Sequence, residues 1–83
     1  MKVNLRYFAS IREALGRDRE SLDTTAATLG ELRDELIARG GDHAESLARG
    51  KAVRVALNQV MADEAAGLTE GAEVGFFPPV TGG

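Results

Sequence analysis

Residues 28–41 read TLGELRDELIARGG and carry the clearest helix pattern in the chain. Thr28 is followed three residues later by Glu31, a capping box in which two side chains satisfy free backbone N–H groups at a helix start. Apolar side chains then recur on one stripe, and Gly40-Gly41 favours a stop after it. The stretch predicts an amphipathic helix that covers an apolar surface, through a stripe made of Leu29, Leu32, Leu36 and Ile37.

Strand patterns lie on both sides of this helix. Apolar residues alternate with others over residues 3–8, 53–58 and 74–77, as expected of half-buried strands. Residues 21–25 and 60–61 are weaker strand candidates. The alternation therefore predicts a sheet against which the long helix can pack.

Two short helices complete the predicted elements. One begins with a capping box at Ser10–Glu13 and ends at Gly16, and the other runs from Asp42 to Gly50. The order of elements suits an α+β fold in which one long helix packs on one face of a mixed sheet of about five strands. This arrangement predicts the β-grasp, or ubiquitin-like, fold, with a domain over residues 1–77 and an extended tail over residues 78–83.

The composition narrows the chemistry open to this chain of 83 residues. It has no cysteine and one histidine, which excludes a disulfide scaffold, a thiol nucleophile and a multi-histidine metal site. A formal net charge of −3 disfavours nucleic acid as a partner, since phosphate binding needs clustered Lys and Arg. No apolar run approaches the ~20 residues that span a bilayer, and no export signal is found, so a cytoplasmic location without membrane contact is expected. Asp18, Glu20 and His43 are expected at the solvent-exposed surface.

The last six residues read Pro78-Pro79-Val80-Thr81-Gly82-Gly83. Neither proline can donate to a sheet ladder and both favour an extended conformation, so they end the last strand. At ~3.3 Å per residue the segment reaches about 20 Å from the domain. Gly-Gly carries no β-carbon, so it can enter a narrow channel and leaves a terminal carboxylate unhindered. The segment predicts a functional tail, against the alternative of a frayed chain end.

The phase of the strands places two phenylalanines on the same face. Phe8 and Phe77 each follow, by one residue, a side chain that should point toward the helix, so both rings are directed to the opposite face. The first and last strands are neighbours in a β-grasp, so the rings can share one exposed patch with Ala56 adjacent. A contiguous apolar patch indicates a binding surface. The alternative is that the rings fold over the sheet edge and are buried.

These motifs together resemble the small subunit of molybdopterin synthase, the MoaD-like sulfur carriers. The resemblance covers nearly the whole chain and is most specific over residues 76–83, where the family's ending is matched residue for residue. Residues 8–16, 55–58 and 68–74 also fit the family, whereas residues 18–50 match only in general pattern.

Two positions depart from the pattern of this family. Arg6 is more polar than the family usually shows there, and Ala72 stands where an acidic residue is common. Neither departure lies in the tail.

The resemblance implies a carrier whose reactive group belongs to the main chain. A separate ATP-dependent enzyme would adenylate the carboxylate of Gly83, and a sulfur donor would convert it to a thiocarboxylate. The loaded tail would enter the large catalytic subunit, where the sulfur passes to a cyclic pterin precursor. The small subunit is then non-catalytic and binds no cofactor, in an assembly of two small and two large subunits. The residues implied to contact the partner are Gly82, Thr81, Val80, Pro79 and Pro78 in the tail and Phe8, Arg12 and Phe77 on the domain.

Three alternatives remain beside this interpretation. A carrier of the ThiS type shares the fold and the Gly-Gly end but delivers sulfur for thiamin thiazole synthesis, and the Phe-Phe-Pro-Pro-Val-Thr ending favours molybdopterin over it. A ubiquitin-like modifier would pass the activated tail to a lysine amine. A non-carrier β-grasp module would bind a partner through Phe8 and Phe77 and make no use of the tail.

Overall fold

In the computed structural model, which describes residues 1–79, five strands form one mixed sheet. The strand order is β2-β1-β5-β3-β4; β1 and β5 pair in parallel and the other neighbours are antiparallel. This is the predicted β-grasp, and both weaker strand candidates are confirmed as strands. The elements in chain order are β1 (Lys2–Tyr7), α1 (Ala9–Leu15), β2 (Arg19–Asp23), α2 (Leu29–Ile37), α3 (Gly41–Ser46), β3 (Arg54–Leu57), β4 (Val60–Ala62) and β5 (Glu73–Phe77).

Helix α2 begins where the capping box places it. The Thr28 side chain accepts a hydrogen bond from the Glu31 N–H at 3.2 Å, and the Glu31 carboxylate accepts one from the Ala27 N–H at 3.0 Å. Both bonds satisfy donors that a helix start leaves free. The helix stripe packs into one core with the inward side chains of the central strands, and its fully buried members are Leu29, Leu32, Leu36, Val3, Leu5, Val74 and Phe76.

The predicted start of α1 and end of α3 are wrong. The N-cap of α1 is Phe8, and Ser10 therefore lies inside the helix, which begins at Ala9. No side chain forms a capping hydrogen bond at this helix start. The cause is tertiary: the Phe8 N–H still donates to the Phe76 carbonyl at 3.2 Å, which keeps Phe8 extended. Gly16 ends α1 at φ 72° as predicted, whereas α3 ends at Ser46, four residues before Gly50.

A buried arginine of α2 orders the segment that leads into β3. Arg33 is 3% exposed and donates to the carbonyls of Leu47, Ala48 and Lys51 at 2.7–3.0 Å. Its remaining terminal nitrogen donates to the Glu64 carboxylate at 2.7 Å, so both the charge and the donors are satisfied. One side chain thus ties α2 to the chain on both sides of the β3–β4 hairpin.

Tyr7 and Glu20 form a second polar cluster between the sheet and the helices. The buried Tyr7 hydroxyl donates to Glu20 at 3.0 Å, and Arg39 donates to the other carboxylate oxygen at 2.8 Å. The His43 ring meets Tyr7 edge to face, with centroids 6.2 Å apart. Glu20 and His43 are therefore only 11% and 17% exposed, and their predicted surface placement is wrong because neither contact is local in sequence.

These contacts set the titration of the cluster. Burial raises the pKa of the Tyr7 hydroxyl, and the charge of Glu20 raises it further. Burial also opposes ionisation of Glu20, but the hydrogen bonds from Arg39 and Tyr7 outweigh it and lower the pKa of this carboxyl below the ordinary glutamate value. Glu20 is thus stabilised as a carboxylate by the fold.

Among residues 1–79, no helix has the length and apolar character needed to cross a membrane.

The substitution Glu20→Gln should remove a pH-dependent part of the stability. Because the folded-state pKa of Glu20 is lowered, its contribution is present above about pH 4.5 and is lost as the pH falls through that lowered pKa. The free energy of unfolding of the wild type should exceed that of the variant near about pH 7, and the difference should shrink as the pH falls below about 4.5 through the lowered pKa of Glu20. Urea denaturation across this range measures both, with Glu13→Gln, at an exposed glutamate of α1, as the control. A constant difference at every pH would contradict the prediction.

Candidate protein-docking surface

The sheet face turned away from the helices carries aromatic, small and cationic residues. Gly75 of β5 is paired with Arg6 on one side and Ala56 on the other, and Arg54 is paired with Phe77. Residues directly opposite each other on neighbouring strands point to the same face. We call this surface the outer face; it comprises Arg6, Phe8, Arg54, Ala56, Met61, Gly75 and Phe77.

Two phenylalanines form an aromatic stack at the centre of the outer face. The rings of Phe8 and Phe77 are parallel within 4°, with centroids 4.3 Å apart. Both rings lie over Gly75, where an added Cβ would sit 3.1 Å from each of them. The predicted shared patch is confirmed, but the rings are half-buried rather than fully exposed because they pack on each other and on the sheet. Ala56, predicted beside them, is 5% exposed.

Met61 belongs to the same surface and was missed by the sequence reasoning. It is 53% exposed, lies opposite Ala56 in the β3–β4 pair, and faces a groove of about 680 Å³ that the aromatic stack also lines. Its strand was only a weak candidate, so its phase was not followed. The usable signal was pairing: once β4 is placed against β3, Met61 must share a face with Ala56.

The root of the tail lies at the edge of this groove. Pro78 and Pro79 line it together with Phe77, and they also line a second cavity of about 440 Å³ beside α1 and α3. The structure therefore brings four of the predicted contact residues together, namely Phe8, Phe77, Pro78 and Pro79. Val80, Thr81, Gly82 and Gly83 lie outside the described residues.

Arg12 is placed differently from the other predicted contact residues. It is exposed in the middle of α1, and its backbone N–H donates to the Phe8 carbonyl at 3.4 Å. Its side chain lies outside the groove that the aromatic stack lines. The structure therefore does not bring Arg12 together with the residues that line the groove.

The fold and the outer face together define a class of protein. It is a ubiquitin-like β-grasp domain with a partly exposed aromatic stack on one sheet face, and Pro78 and Pro79 follow the last strand beside that stack. Within residues 1–79, no group of three or more His, Asp or Glu side chains is arranged to hold a metal ion.

Comparisons with known proteins agree with this class. The model of the ThiS family matches residues 5–83. Molybdopterin synthase sulfur carrier subunits from Haemophilus influenzae and Escherichia coli are 38% and 37% identical to the chain, in each case over 98% of it and 99% of the relative. The chain therefore belongs to the ThiS family, among relatives of the molybdopterin synthase sulfur carrier kind.

Solved structures share the fold over the full length. SAMP1 from Haloferax volcanii superposes with a TM-score of 0.79 at 25% identity, covering 100% of both chains. A chain from the complex of subunits 1 and 2 of the molybdopterin-converting factor of Helicobacter pylori gives 0.69 at 28% identity, also covering 100% of both. The family and fold predicted from the motifs are thus confirmed.

The substitution Gly75→Ala should open the aromatic stack. The new Cβ would approach both rings at 3.1 Å, closer than ordinary van der Waals contact, so the rings must move apart or away from the sheet. We expect altered aromatic chemical shifts for Phe8 and Phe77 and a loss of about 1 kcal/mol in unfolding free energy. Gly50→Ala, where an added Cβ meets nothing within 4 Å, is the matched control. Unchanged aromatic spectra in the Gly75 variant would contradict the prediction.

Proposed function

We propose that this chain is the sulfur-carrier subunit of a molybdopterin synthase and carries sulfur as a thiocarboxylate on Gly83. The observation that carries the proposal is the position of the aromatic stack directly beside Pro78 and Pro79. A partner that binds the stack receives the tail at the same place. The full-length relatives with this function support the assignment.

The chemistry uses the main-chain carboxylate because the chain has no cysteine to hold sulfur. An ATP-dependent enzyme joins AMP to the Gly83 carboxylate and releases pyrophosphate. A sulfur donor then displaces AMP, and the tail carries the sulfur at its terminal carbon. Gly82 adds no side chain beside that carbon, so a narrow channel can admit it. In this proposal the chain is the carrier, and the catalytic groups belong to its partner.

The proposed partner is the large subunit of the synthase. The relative from Helicobacter pylori was solved as a complex of subunits 1 and 2 of the molybdopterin-converting factor, which supports a subunit partner of this kind. Phe8, Phe77 and Arg12 would contact its surface, while the residues from Pro78 to Thr81 would line its channel entrance. The activating enzyme, the sulfur donor and a cytoplasmic location belong to the same proposal.

The relatives favour molybdopterin over the alternatives. The matched family model bears the ThiS name, but the curated relatives at 36–38% identity are all molybdopterin synthase sulfur carrier subunits. A thiamin carrier, a protein modifier and a non-carrier module therefore rank below the molybdopterin assignment.

Deletion of Gly83 should abolish sulfur transfer and leave the fold intact. The deletion removes the carboxylate that becomes activated, and the members of the hydrophobic core that the structure describes lie between Val3 and Phe76. The full chain, incubated with the activating enzyme, ATP and a sulfide donor, should gain the mass of one oxygen exchanged for sulfur, and the deleted chain should not. Circular dichroism controls for folding, and one alanine added after Gly83 gives a second variant. Full sulfur transfer by either variant would contradict the carrier function.

The substitution Phe77→Ala should weaken binding to the large subunit. Loss of a central aromatic anchor costs about 1–3 kcal/mol, or about 5- to 150-fold in Kd. Val60→Ala, at a 67% exposed apolar residue of β4, is the matched control and should bind as the wild type does. Titration calorimetry measures both. Equal affinities for the two variants would show that the aromatic stack is not the anchor.

A further inference from the structure

Two arginines flank the aromatic stack on the outer face. Arg6 lies on β1 and Arg54 on β3, the two strands on either side of β5. The guanidinium carbon of Arg6 lies 5.1 Å from the centre of the Phe8 ring, within the range of a cation–π contact. Arg54 is directly opposite Phe77 in the β3–β5 pair. We call these two residues the arginine pair.

The arginine pair has no polar partner within residues 1–79, a property that it shares with Arg12 of α1 and Arg19 of β2. It differs from these two in lying on the strands next to β5. In the part of the chain that the structure describes, Arg33, Arg39 and Arg49 bind carboxylates, whereas Arg6 and Arg54 make neither an ion pair nor a hydrogen bond from their side chains. The Nε of Arg6 is buried and has no acceptor within residues 1–79. A buried donor without an acceptor is unfavourable, so a feature of this kind calls for an explanation.

No carboxylate within residues 1–79 forms an ion pair with either arginine. Glu73 of β5 lies at the border of the outer face, two residues before Gly75, and lines a cavity of about 330 Å³ with Arg6. The Glu73 carboxylate forms no ion pair within residues 1–79. The backbone N–H of Glu73 donates to the side-chain oxygen of Asn58. This side of the sheet therefore presents Arg6 and Arg54 on either side of an apolar centre, with Arg19 opposite Arg6 on β2, in a chain whose net charge is −3.

We infer that the surface covering the aromatic stack carries two carboxylates, one opposite Arg6 and one opposite Arg54, on either side of an apolar contact. The inference rests on the proposed function, since the partner is taken to be the large subunit. A guanidinium held against an aromatic ring is already oriented, and its planar fork matches a carboxylate. An entirely apolar partner would bury the arginine pair without compensation, so the pair also selects against wrong partners.

The same charges argue against a second copy of this chain as the occupant. A two-fold contact through the stack would bring identical patches together and place the arginine pair of one copy near that of the other. Like charges in such a contact oppose association. The occupant that the charges favour is therefore a different, acidic protein surface.

Binding of the purified large subunit to the double variant Arg6→Met/Arg54→Met tests the inference. Methionine keeps an unbranched apolar stem and removes only the charge and the donors. At about 50 mM salt we expect a Kd at least about tenfold weaker than that of the wild type, and a smaller loss of affinity on raising the salt to about 500 mM. Lys2→Met is the control: it removes a cation from the same strand, four residues or about 13 Å from Arg6, and should change the Kd by less than about twofold.

A second measurement identifies the opposing groups. Arg6→Lys and Arg54→Lys place a primary amine at each position, and a carbodiimide joins that amine to a contacting carboxylate as an amide. The background is low because Lys2 and Lys51 are the only native lysines. Cross-links from position 6 or 54 to Asp or Glu of the large subunit would support the inference. Cross-links only to a second copy of this chain would overturn it.

The two proposals fail in different ways. A wild-type chain that does not bind the large subunit at all would overturn the proposed function and this inference with it. The result is different if the wild type binds and transfers sulfur and the double variant has the same Kd and the same salt dependence. That result would overturn only the inference that carboxylates face the arginine pair.

Discussion

The parallel pairing of β1 with β5 is the contact on which the rest of the structure depends. Parallel strands end at the same edge of a sheet, so the residues that follow β1 and β5 must meet there. Phe8 leads into α1 at that edge, and Phe77 leads into the two prolines. The pairing therefore creates both the aromatic stack and the site where the tail leaves the domain. A parallel pair also needs a long crossover, and α2 occupies it, which fills the opposite face of the sheet.

The domain divides its charged side chains between two tasks. Arg33 and Arg39 donate hydrogen bonds to acceptors within the domain and hold loops and helices against the sheet. Arg6 and Arg54 lie on the outer face without internal acceptors among the described residues.

Local patterns predicted those parts of the fold that local chemistry determines. The Thr28 capping box, the α2 stripe and the alternation in β1 depend on neighbours in sequence, and all are confirmed. The errors arise where a distant contact decides. Phe8 replaced Ser10 as a cap because the sheet holds its backbone, and Glu20 and His43 are covered by residues far away in the chain.

The candidate site divides in the same way between local and distant determinants. Phe8 and Phe77 could be found because strand phase and the order of strands were both available from the sequence. Met61 could not, since its face follows from a pairing partner rather than from its own strand. The buried role of Arg33 could not be predicted, because a charged residue next to an apolar stripe is usually solvent-exposed. Its acceptors include main-chain carbonyls, and these are present at every position of any sequence.

The carbonyl acceptors of Arg33 bear on how this protein can evolve. In the segment from Leu47 to Lys51, between α3 and β3, the Arg33 side chain binds three backbone carbonyls. Every amino acid offers the same carbonyl, so these bonds place no demand on which side chains stand at positions 48 and 51. Positions 48 and 51 can therefore change without loss of these bonds, whereas selection must keep Arg33 itself, the buried Leu47 and Arg49, whose side chain binds the Gly30 carbonyl.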